Sequence, residues 1–298
     1  MNVLVIYGGS SSERDISLMS GANVGAALQE AGHVVTFFDP AAGLFELSDA
    51  LKDIDVAFPI LHGKGGEDGG IQQQLEQYAV PYVGSDAKTS AACFDKWQTI
   101  QTATQVRFPK TELVSRESIQ QSELLKNPYV VKPRAEGSSV DTFIVHDPSD
   151  FAVSKLDAVF AKYNNELLLE ACIEGQEITV PVLGDTALPV VEIIPPEGKE
   201  FDFTNKYNGA TTENCPPKLV AKDLQKQAQA IALTLHETMG CRHFSRTDFM
   251  IDKSGNIFAL EINTLPGMTK ESLFPRAAKA AGITAAELVD RLIAMATS

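Results

Sequence analysis

Cysteine is scarce in this chain: four residues of 298, at Cys93, Cys172, Cys215 and Cys241, with no CxxC pair among them. That spacing excludes a disulfide framework or a zinc ribbon and fits the reduced thiols of a cytoplasmic protein. Histidine is nearly as sparse, five residues without an HExxH spacing, so a zinc site is not expected. No apolar run reaches the ~18 residues that a bilayer-spanning helix needs. The opening Met1-Asn2-Val3-Leu4-Val5-Ile6-Tyr7 lacks a basic leader and a cleavage site, which marks a first β-strand and not a signal peptide. Positive charge is also in deficit: 25 Lys and Arg against 39 Asp and Glu, a net charge of −14. Such a chain repels DNA and anionic membranes, so neither nucleic acid nor membrane is an expected partner. A site for an anion must then be assembled locally, from a few cations and from backbone N–H groups.

What is present points to an α/β and α+β protein of two or three domains, the usual outcome at this length. Asn2–Tyr7, Val34–Phe38 and Val56–Leu61 are predicted strands, interleaved with helices over Ile16–Ala31 and Ile71–Tyr78, which suggests a doubly wound parallel sheet. A helix over Ser85–Thr104 leads out of this unit. Strands follow at Tyr129–Lys132, Thr142–Val145 and Leu167–Glu170 around a helix over Pro148–Lys162. Glu177–Leu183 and Leu188–Ile193 are predicted to form a hairpin about Gly184-Asp185. Pro195–Pro217 is polar and rich in breakers, and a loop of that length in a compact domain is usually functional or disordered. Asp223–Met239 has helical apolar spacing, and Ala285–Ala296 is a closing helix.

The segment richest in chemistry is Arg246–Asp252, then Lys253-Ser254-Gly255-Asn256, then Ile257–Asn263. It is two alternating strands about a four-residue turn. Pairing Asp252 with Ile257 places Asp248 opposite Glu261 and Arg246 opposite Asn263, all on one sheet face. Phe249, Ile251, Leu260 and Ile262 then point to the other face, into a core. Two carboxylates about 5 Å apart repel by roughly 3 kcal/mol at an effective dielectric of ~20, so a proton, an arginine or a divalent cation must offset them. With the Asn263 amide oxygen added, the donor set suits Mg²⁺ or Mn²⁺. The hairpin alone is equally compatible with a solvated polar face on which Arg246 is an ordinary salt-bridge partner.

Three further segments could hold anions or substrate. His62-Gly63-Lys64-Gly65-Gly66-Glu67-Asp68-Gly69-Gly70 joins a strand to a helix, but it is neither a Walker loop nor a dinucleotide fingerprint. Lys132 ends a buried strand before the small-residue loop Ala135-Glu136-Gly137-Ser138-Ser139; a phosphate could partner it, or its stem could snorkel to the surface. Gly8–Arg14 follows the first strand, where Glu13 could bind an amine at the top of the sheet or Ser12 could simply cap a helix.

Together these motifs resemble the D-alanine–D-alanine ligases of the ATP-grasp superfamily. The matching segments are Gly8-Gly9 through Ser20-Gly21, His62-Gly63 through Gly69, Asp95-Lys96, Val131-Lys132-Pro133 with Gly137-Ser138-Ser139, Lys206-Tyr207, Arg246–Phe249, and Glu261-Ile262-Asn263 with Pro266–Thr269. The resemblance implies a three-lobed ATP-grasp fold: residues 1–95 as an N-terminal substrate-binding lobe, 96–180 as a central lobe, and 181–298 as a C-terminal lobe with metal and catalytic residues. It implies that ATP phosphorylates one D-alanine to an acylphosphate, which the amine of a second attacks. Lys96, Lys132 and Ser139 would hold ATP phosphates, Lys206 the γ-phosphate, and Glu170 and Glu177 the adenine and ribose. Asp248, Glu261 and Asn263 would ligate two Mg²⁺ or Mn²⁺ ions. Glu13, with His62 nearby, would bind the first ammonium, and Ser272 the second carboxylate. Arg246 and the Gly267 N–H would stabilise the oxyanion, while Ser138, Tyr207 and Glu13 would form a hydrogen-bonded set. A cytoplasmic homodimer paired through the N-terminal lobe is also implied, with Pro195–Pro217 as a lid.

Two departures from the family pattern stand out. Asp141 occupies a position after Ser-Ser-Val that is usually glycine, and Phe201-Asp202-Phe203 replaces a Tyr-x-Tyr. Ligases that join D-alanine to D-serine or D-lactate are the nearest rivals, and Tyr207 points to an amine acceptor. Other ATP-grasp ligases would lack the Glu13 and Ser272 pair. A non-catalytic nucleotide-binding relative would be expected to lose a metal ligand or Arg246, and all are present.

Overall fold

A computed structural model describes residues 1–196 and 211–298. The chain begins with β1 (Asn2–Ile6), α1 (Arg14–Glu30), β2 (Val34–Phe38), α2 (Leu47–Ala50), β3 (Val56–Pro59) and α3 (Gly70–Gln77). The three strands make a parallel sheet in the order β2-β1-β3. Alternate residues of β1 serve opposite cores. Val3 and Val5 pack with Val24 and Leu28 of α1, whereas Leu4 and Ile6 pack with Leu47, Ile71 and Leu75. Both faces are therefore covered, as the continuous apolar strands require.

The helix predicted over Ser85–Thr104 is two helices, α4 (Ala87–Phe94) and α5 (Lys96–Thr102). Asp95 between them is extended and its carboxylate accepts the Gln98 N–H, so it ends one helix and caps the next. Arg134 binds both Asp95 oxygens at 2.8 Å, and the Lys96 N–H donates to the Arg134 carbonyl at 2.9 Å. The break thus fixes Lys96 against the next lobe.

That lobe is an antiparallel sheet of β4 (Thr111–Val114), β5 (Tyr129–Pro133), β6 (Phe143–Val145) and β7 (Leu167–Ala171), in the order β4-β7-β5-β6. β4 was not foreseen from the sequence. The helix predicted over Pro148–Lys162 shrinks to α6 (Asp157–Lys162) behind two 3₁₀ turns. Asp147 accepts the Ser149 N–H and starts the first turn, and Phe151 and Ala152 are extended, which separates the turns from any continuous helix.

A larger antiparallel sheet holds β8 (Gly175–Leu183), β9 (Thr186–Ala187), β10 (Val191–Ile194), β11 (Thr212–Asn214), β12 (Phe244–Asp252) and β13 (Ile257–Asn263). Thr212–Asn214 pairs with β10, so the segment predicted as loop over Pro195–Pro217 is part strand. One face of this sheet packs on α7 (Lys222–Met239) through Ala228, Ala232 and Leu235 against Ile178, Phe249 and Ala259. The chain ends with α8 (Leu273–Ala280), unforeseen from the sequence, and α9 (Ala285–Ala296), started by a capping box of Thr284 and Glu287. Leu288 and Leu292 of α9 share a core with Val24 and Leu28 of α1, which ties the end of the chain to its beginning.

Candidate active site

The face of the large sheet opposite α7 lines a cleft, and the β12–β13 hairpin supplies its acidic centre. Asp248 pairs with Glu261 and Arg246 with Asn263, as the sequence predicts. The route to that register differs. The turn is Lys253–Gly255 with Gly255 at φ +81, and Ile251, not Asp252, pairs with Ile257. Three-residue hairpin loops with glycine in the left-handed region are a favoured type. A bulge between Asp248 and Phe249 then restores the pairing at the site, with Leu260 as the extra residue. Ala259 consequently takes the core position predicted for Leu260, and Leu260 turns into the cleft.

Both carboxylates already have cationic partners. Arg246 donates to Asp248 from Nε at 2.9 Å and Nη2 at 2.8 Å, and the Thr179 hydroxyl donates to Asp248 Oδ1. Lys96 Nζ lies 3.1 Å from Glu261. The pairing with Asp248 raises the Arg246 pKa further despite burial, so this guanidinium is permanently charged. Asn263 Oδ1 accepts the Leu265 N–H at 2.8 Å, which orients its amide. Among the described residues no group of three or more His, Cys, Asp or Glu is arranged to hold a metal. The oxygen set is therefore two carboxylates plus an amide, on a face that already attracts positive charge.

Two cavities meet here. The smaller, about 150 Å³, is lined by Glu13, His62, Lys96, Glu136, Gly137, Ser138, Arg246, Glu261, Asn263, Gly267 and Ser272. Glu13 stands at the start of α1, buried, and accepts a hydrogen bond from the Ser138 hydroxyl across the lobes. A Cβ at Gly63 or at Gly137 would come within 2.9 Å of Glu13 Oε2, so both glycines are what let two backbones close on this carboxylate. His62 Nε2 is 3.1 Å from Ser20 Oγ, which in turn accepts the Met268 N–H at 3.3 Å. Asn23 donates to the Met268 carbonyl at 2.7 Å, so α1 fixes the loop that carries Gly267. Ser272 Oγ accepts the Thr269 N–H at 3.0 Å and lies 2.9 Å from where a Cβ on Gly267 would stand.

The larger cavity, about 530 Å³, is lined by Lys132, Ser139, Glu170, Glu177 and Asp248 together with the apolar Val130, Ile144, Met250 and Leu260. An apolar slot with polar groups at its edges suits a flat heterocycle. Lys132 Nζ is 2.7 Å from the buried Glu170, so its partner in this structure is that carboxylate. Lys96 Nζ also donates to the Glu136 carbonyl at 2.7 Å. Lys206 and Tyr207, and the Phe201-Asp202-Phe203 departure, lie outside the described residues.

Four carboxylates of the smaller cavity were not singled out from the sequence: Glu67, Glu136, Glu213 and Glu271. Glu67 Oε1 receives Asn263 Nδ2 at 3.4 Å and lies 3.7 Å from His62 Nδ1. Its signal was its place in the glycine-rich turn beside His62. Glu213, pushed up by burial although Arg276 lies 2.9 Å away, gave no signal inside a stretch predicted as loop.

Asp141 is accommodated without facing either cavity. Its carboxylate is bound by Lys162 Nζ and the Tyr163 hydroxyl, each at 2.7 Å, which lowers its pKa. Its φ of +52 is one that glycine adopts readily.

Comparison with known proteins agrees with this geometry. Residues 95–294 match the family "D-ala D-ala ligase C-terminus" and residues 39–85 match "D-ala D-ala ligase N-terminus". The chain is 40% identical to D-alanine–D-alanine ligase B of Brucella melitensis over 98% of its own length and 94% of that protein's. It is 41% identical to the D-alanine–D-alanine ligase of Nitratidesulfovibrio vulgaris, over 98% and 97%. The crystal structure of the Bacillus anthracis D-alanine–D-alanine ligase complexed with ATP superposes with a TM-score of 0.85 at 31% identity, covering 99% of this chain and 97% of that one. The VanG D-Ala:D-Ser ligase of Enterococcus faecalis superposes at 0.82 with 26% identity, over 99% of each chain. With both family halves present in order and the cleft between them intact, the chain belongs to the D-alanine–D-alanine ligase family, whose solved members have the ATP-grasp fold.

Proposed function

We propose that this enzyme joins two D-alanine molecules at the expense of ATP, giving D-alanyl-D-alanine, ADP and phosphate for peptidoglycan precursors. The observation that carries the reading is a shared wall: Lys96, Glu136 and Glu261 line both cavities. A nucleotide in the larger and an amino acid in the smaller would meet at that wall, phosphate against carboxylate.

Phosphoryl transfer asks a protein mainly for positioning and charge neutralisation. Lys96 at the shared wall, with Lys132 and Ser139, would hold the phosphate tail, with Glu170 and Glu177 toward adenine and ribose. Glu13, its carboxylate fixed by Ser138, would bind the first ammonium beside His62. Arg246 and the Gly267 N–H would stabilise the oxyanion of the tetrahedral intermediate, and Ser272 would take the second carboxylate. Lys206 and Tyr207 keep the roles that the family resemblance gives them. Asp248, Glu261 and Asn263 would hold Mg²⁺ or Mn²⁺, two ions per site, which when bound neutralise phosphate charge.

Three separate sheets support a division into three lobes, but β8 (Gly175–Leu183) belongs wholly to the third sheet, so the boundary expected at 180/181 is drawn instead between β7 and β8, after Ala171. Four free cysteines support a reducing, cytoplasmic setting, and a homodimer is the assembly that the family resemblance implies. No helix among the described residues is long and apolar enough to cross a membrane.

The test mixes the protein with ATP, magnesium and either D- or L-alanine, and measures phosphate release. A competition among D-alanine, D-serine and D-lactate, read by mass spectrometry, identifies the acceptor. Release with L-alanine equal to that with D-alanine, or a dominant D-serine or D-lactate product, would overturn the reading.

A further inference from the structure

The loop from Ala135 to Thr142 joins β5 to β6 and forms the partition between the two cavities. Glu136, Gly137 and Ser138 line the smaller one, and Glu136, Ser139, Val140 and Thr142 the larger. Its backbone makes two successive turns, closed by Val140 N–H to the Gly137 carbonyl at 3.1 Å and Thr142 N–H to the Ser139 carbonyl at 3.3 Å. Ser138 and Ser139 have φ of +49 and +57, the signs of a type I′ turn. Asp141, at +52, is the third residue of the second turn, where a positive φ ordinarily calls for glycine or asparagine. Three side-chain-bearing residues in the left-handed region do not hold themselves there; the surroundings must.

The holding groups come from the end of α6. Lys162 Nζ and the Tyr163 hydroxyl both donate to Asp141 Oδ2 at 2.7 Å. The same hydroxyl is 3.3 Å from Glu136 Oε2, at the other foot of the loop. Lys162 Nζ also sits 5.0 Å from the centre of the Tyr163 ring. One phenol therefore reaches both feet of the partition, and one lysine secures the strained foot. Neither Asp141, Lys162 nor Tyr163 lines either of these two cavities.

We propose that Asp141, Lys162 and Tyr163 form a clasp that keeps the partition in its ligand-ready shape, making them positioning residues for the nucleotide. Without the clasp the loop relaxes toward ordinary backbone angles, and ATP must re-order Ser139 and its neighbours on binding. The cost falls on nucleotide affinity and not on the chemical step, because no group that touches the reacting atoms has changed.

The proposal rests on ATP occupying the larger cavity. The test measures ADP–magnesium binding by calorimetry, ATP KM and kcat, thermal unfolding, and amide exchange over residues 136–142, for wild type, Tyr163→Phe, Asp141→Gly, the double variant and Lys162→Arg. Loss of hydrogen bonds to a charged group should raise the ADP Kd and ATP KM about tenfold in each of the first two variants, with kcat within about twofold. Their loop amides should exchange faster. Asp141→Gly relieves the backbone strain, so its Tm should not fall even as its KM rises. The double variant should be no worse than the worse single one, because both break the same clasp. Lys162→Arg, which keeps the charge, should stay within about twofold of wild type. Wild-type KM in both single variants, kcat and Tm falling together, or effects that multiply in the double variant would overturn the clasp. A wild-type protein that binds no ADP would instead overturn the nucleotide reading on which it rests.

Discussion

Removing the Arg246 side chain should damage stability and turnover by separate routes that two assays can tell apart. Arg246 and Asp248 are nearly enclosed, with side chains 14% and 12% exposed, and the fork makes two hydrogen bonds. In Arg246→Ala the Asp248 carboxylate would keep, among the described residues, the Thr179 hydroxyl as its hydrogen-bond partner and would still oppose Glu261 across the ladder. Breaking a buried pair from one side costs about 3–5 kcal/mol, and the carboxylate repulsion of roughly 3 kcal/mol is part of that figure. For a chain of this size the fall in Tm should be roughly 5–10 °C. Saturating Mg²⁺ and ADP should return part of it, because divalent charge would replace the lost guanidinium. Turnover should fall by about 10²–10³ and should not return with metal, because an oxyanion donor has gone. Circular dichroism melts and phosphate release, on protein shown to be folded, give the two numbers. A well-folded Arg246→Ala enzyme with near wild-type kcat would refute the oxyanion role, and an unchanged Tm would refute the electrostatic account of the hairpin.

Other consequences are as direct. Gly137→Ala puts a Cβ 2.9 Å from Glu13 Oε2, so the KM for D-alanine should rise about tenfold or more while ADP binding holds; an unchanged KM would remove Glu13 from amine recognition. Gly267→Ala crowds Ser272 Oγ at 2.9 Å, and the second D-alanine should bind about tenfold more weakly, read from the velocity against D-alanine at saturating ATP. His236 and His243 are each pushed down to about 4 by burial, and His243 accepts the Gly84 N–H on Nδ1 at 3.0 Å. The unfolded chain protonates both near pH ~6.5, so their contribution is whole above that pH and is lost as pH falls toward 4. Melts should show Tm declining through this window less steeply in a His236→Asn/His243→Asn variant, and equal slopes would exclude the two imidazoles as the cause. Chelation of divalent ions should weaken ADP binding about 100-fold or more by calorimetry; equal affinity with and without metal would argue against the ligand set.

The parts of the fold that were legible in the sequence are those set by periodicity. Strands β1 to β3 and helices α7 and α9 declare themselves because one stripe or one alternation decides them. The acidic hairpin was legible for a subtler reason. Lys253-Ser254-Gly255-Asn256 misstates the turn by one residue, but the bulge beside Asp248 cancels the error at the only positions that matter for the site. A bulge leaves no mark in hydrophobic alternation, so Leu260 was placed on the wrong face. The break at Asp95 was visible in principle, as an N-cap residue before a helical run, but helix-compatible neighbours on both sides concealed it. Lys132 shows a different limit. Its burial called for an anionic partner, and the sequence could not say that Glu170, two strands away in the chain, is placed to supply one.

The charge balance of the cleft explains why so acidic a protein is suited to ATP. Among the described residues, eleven carboxylates line the two cavities against Lys96, Lys132 and Arg246. Each of those three cations lies against a carboxylate, Glu261, Glu170 and Asp248 respectively. A polyphosphate brought alone to such a surface would be repelled, whereas a polyphosphate carrying divalent ions would find the carboxylates attractive and the cations released from their present partners. The same excess of negative charge favours the ammonium of an amino acid at Glu13 and disfavours a bare carboxylate anywhere but beside Arg246 or a backbone N–H. Acidity that disfavours nucleic acid over the surface at large would thus act, inside the cleft, as a filter: it would admit zwitterions and metal-bound nucleotide together, and neither metal nor nucleotide readily without the other.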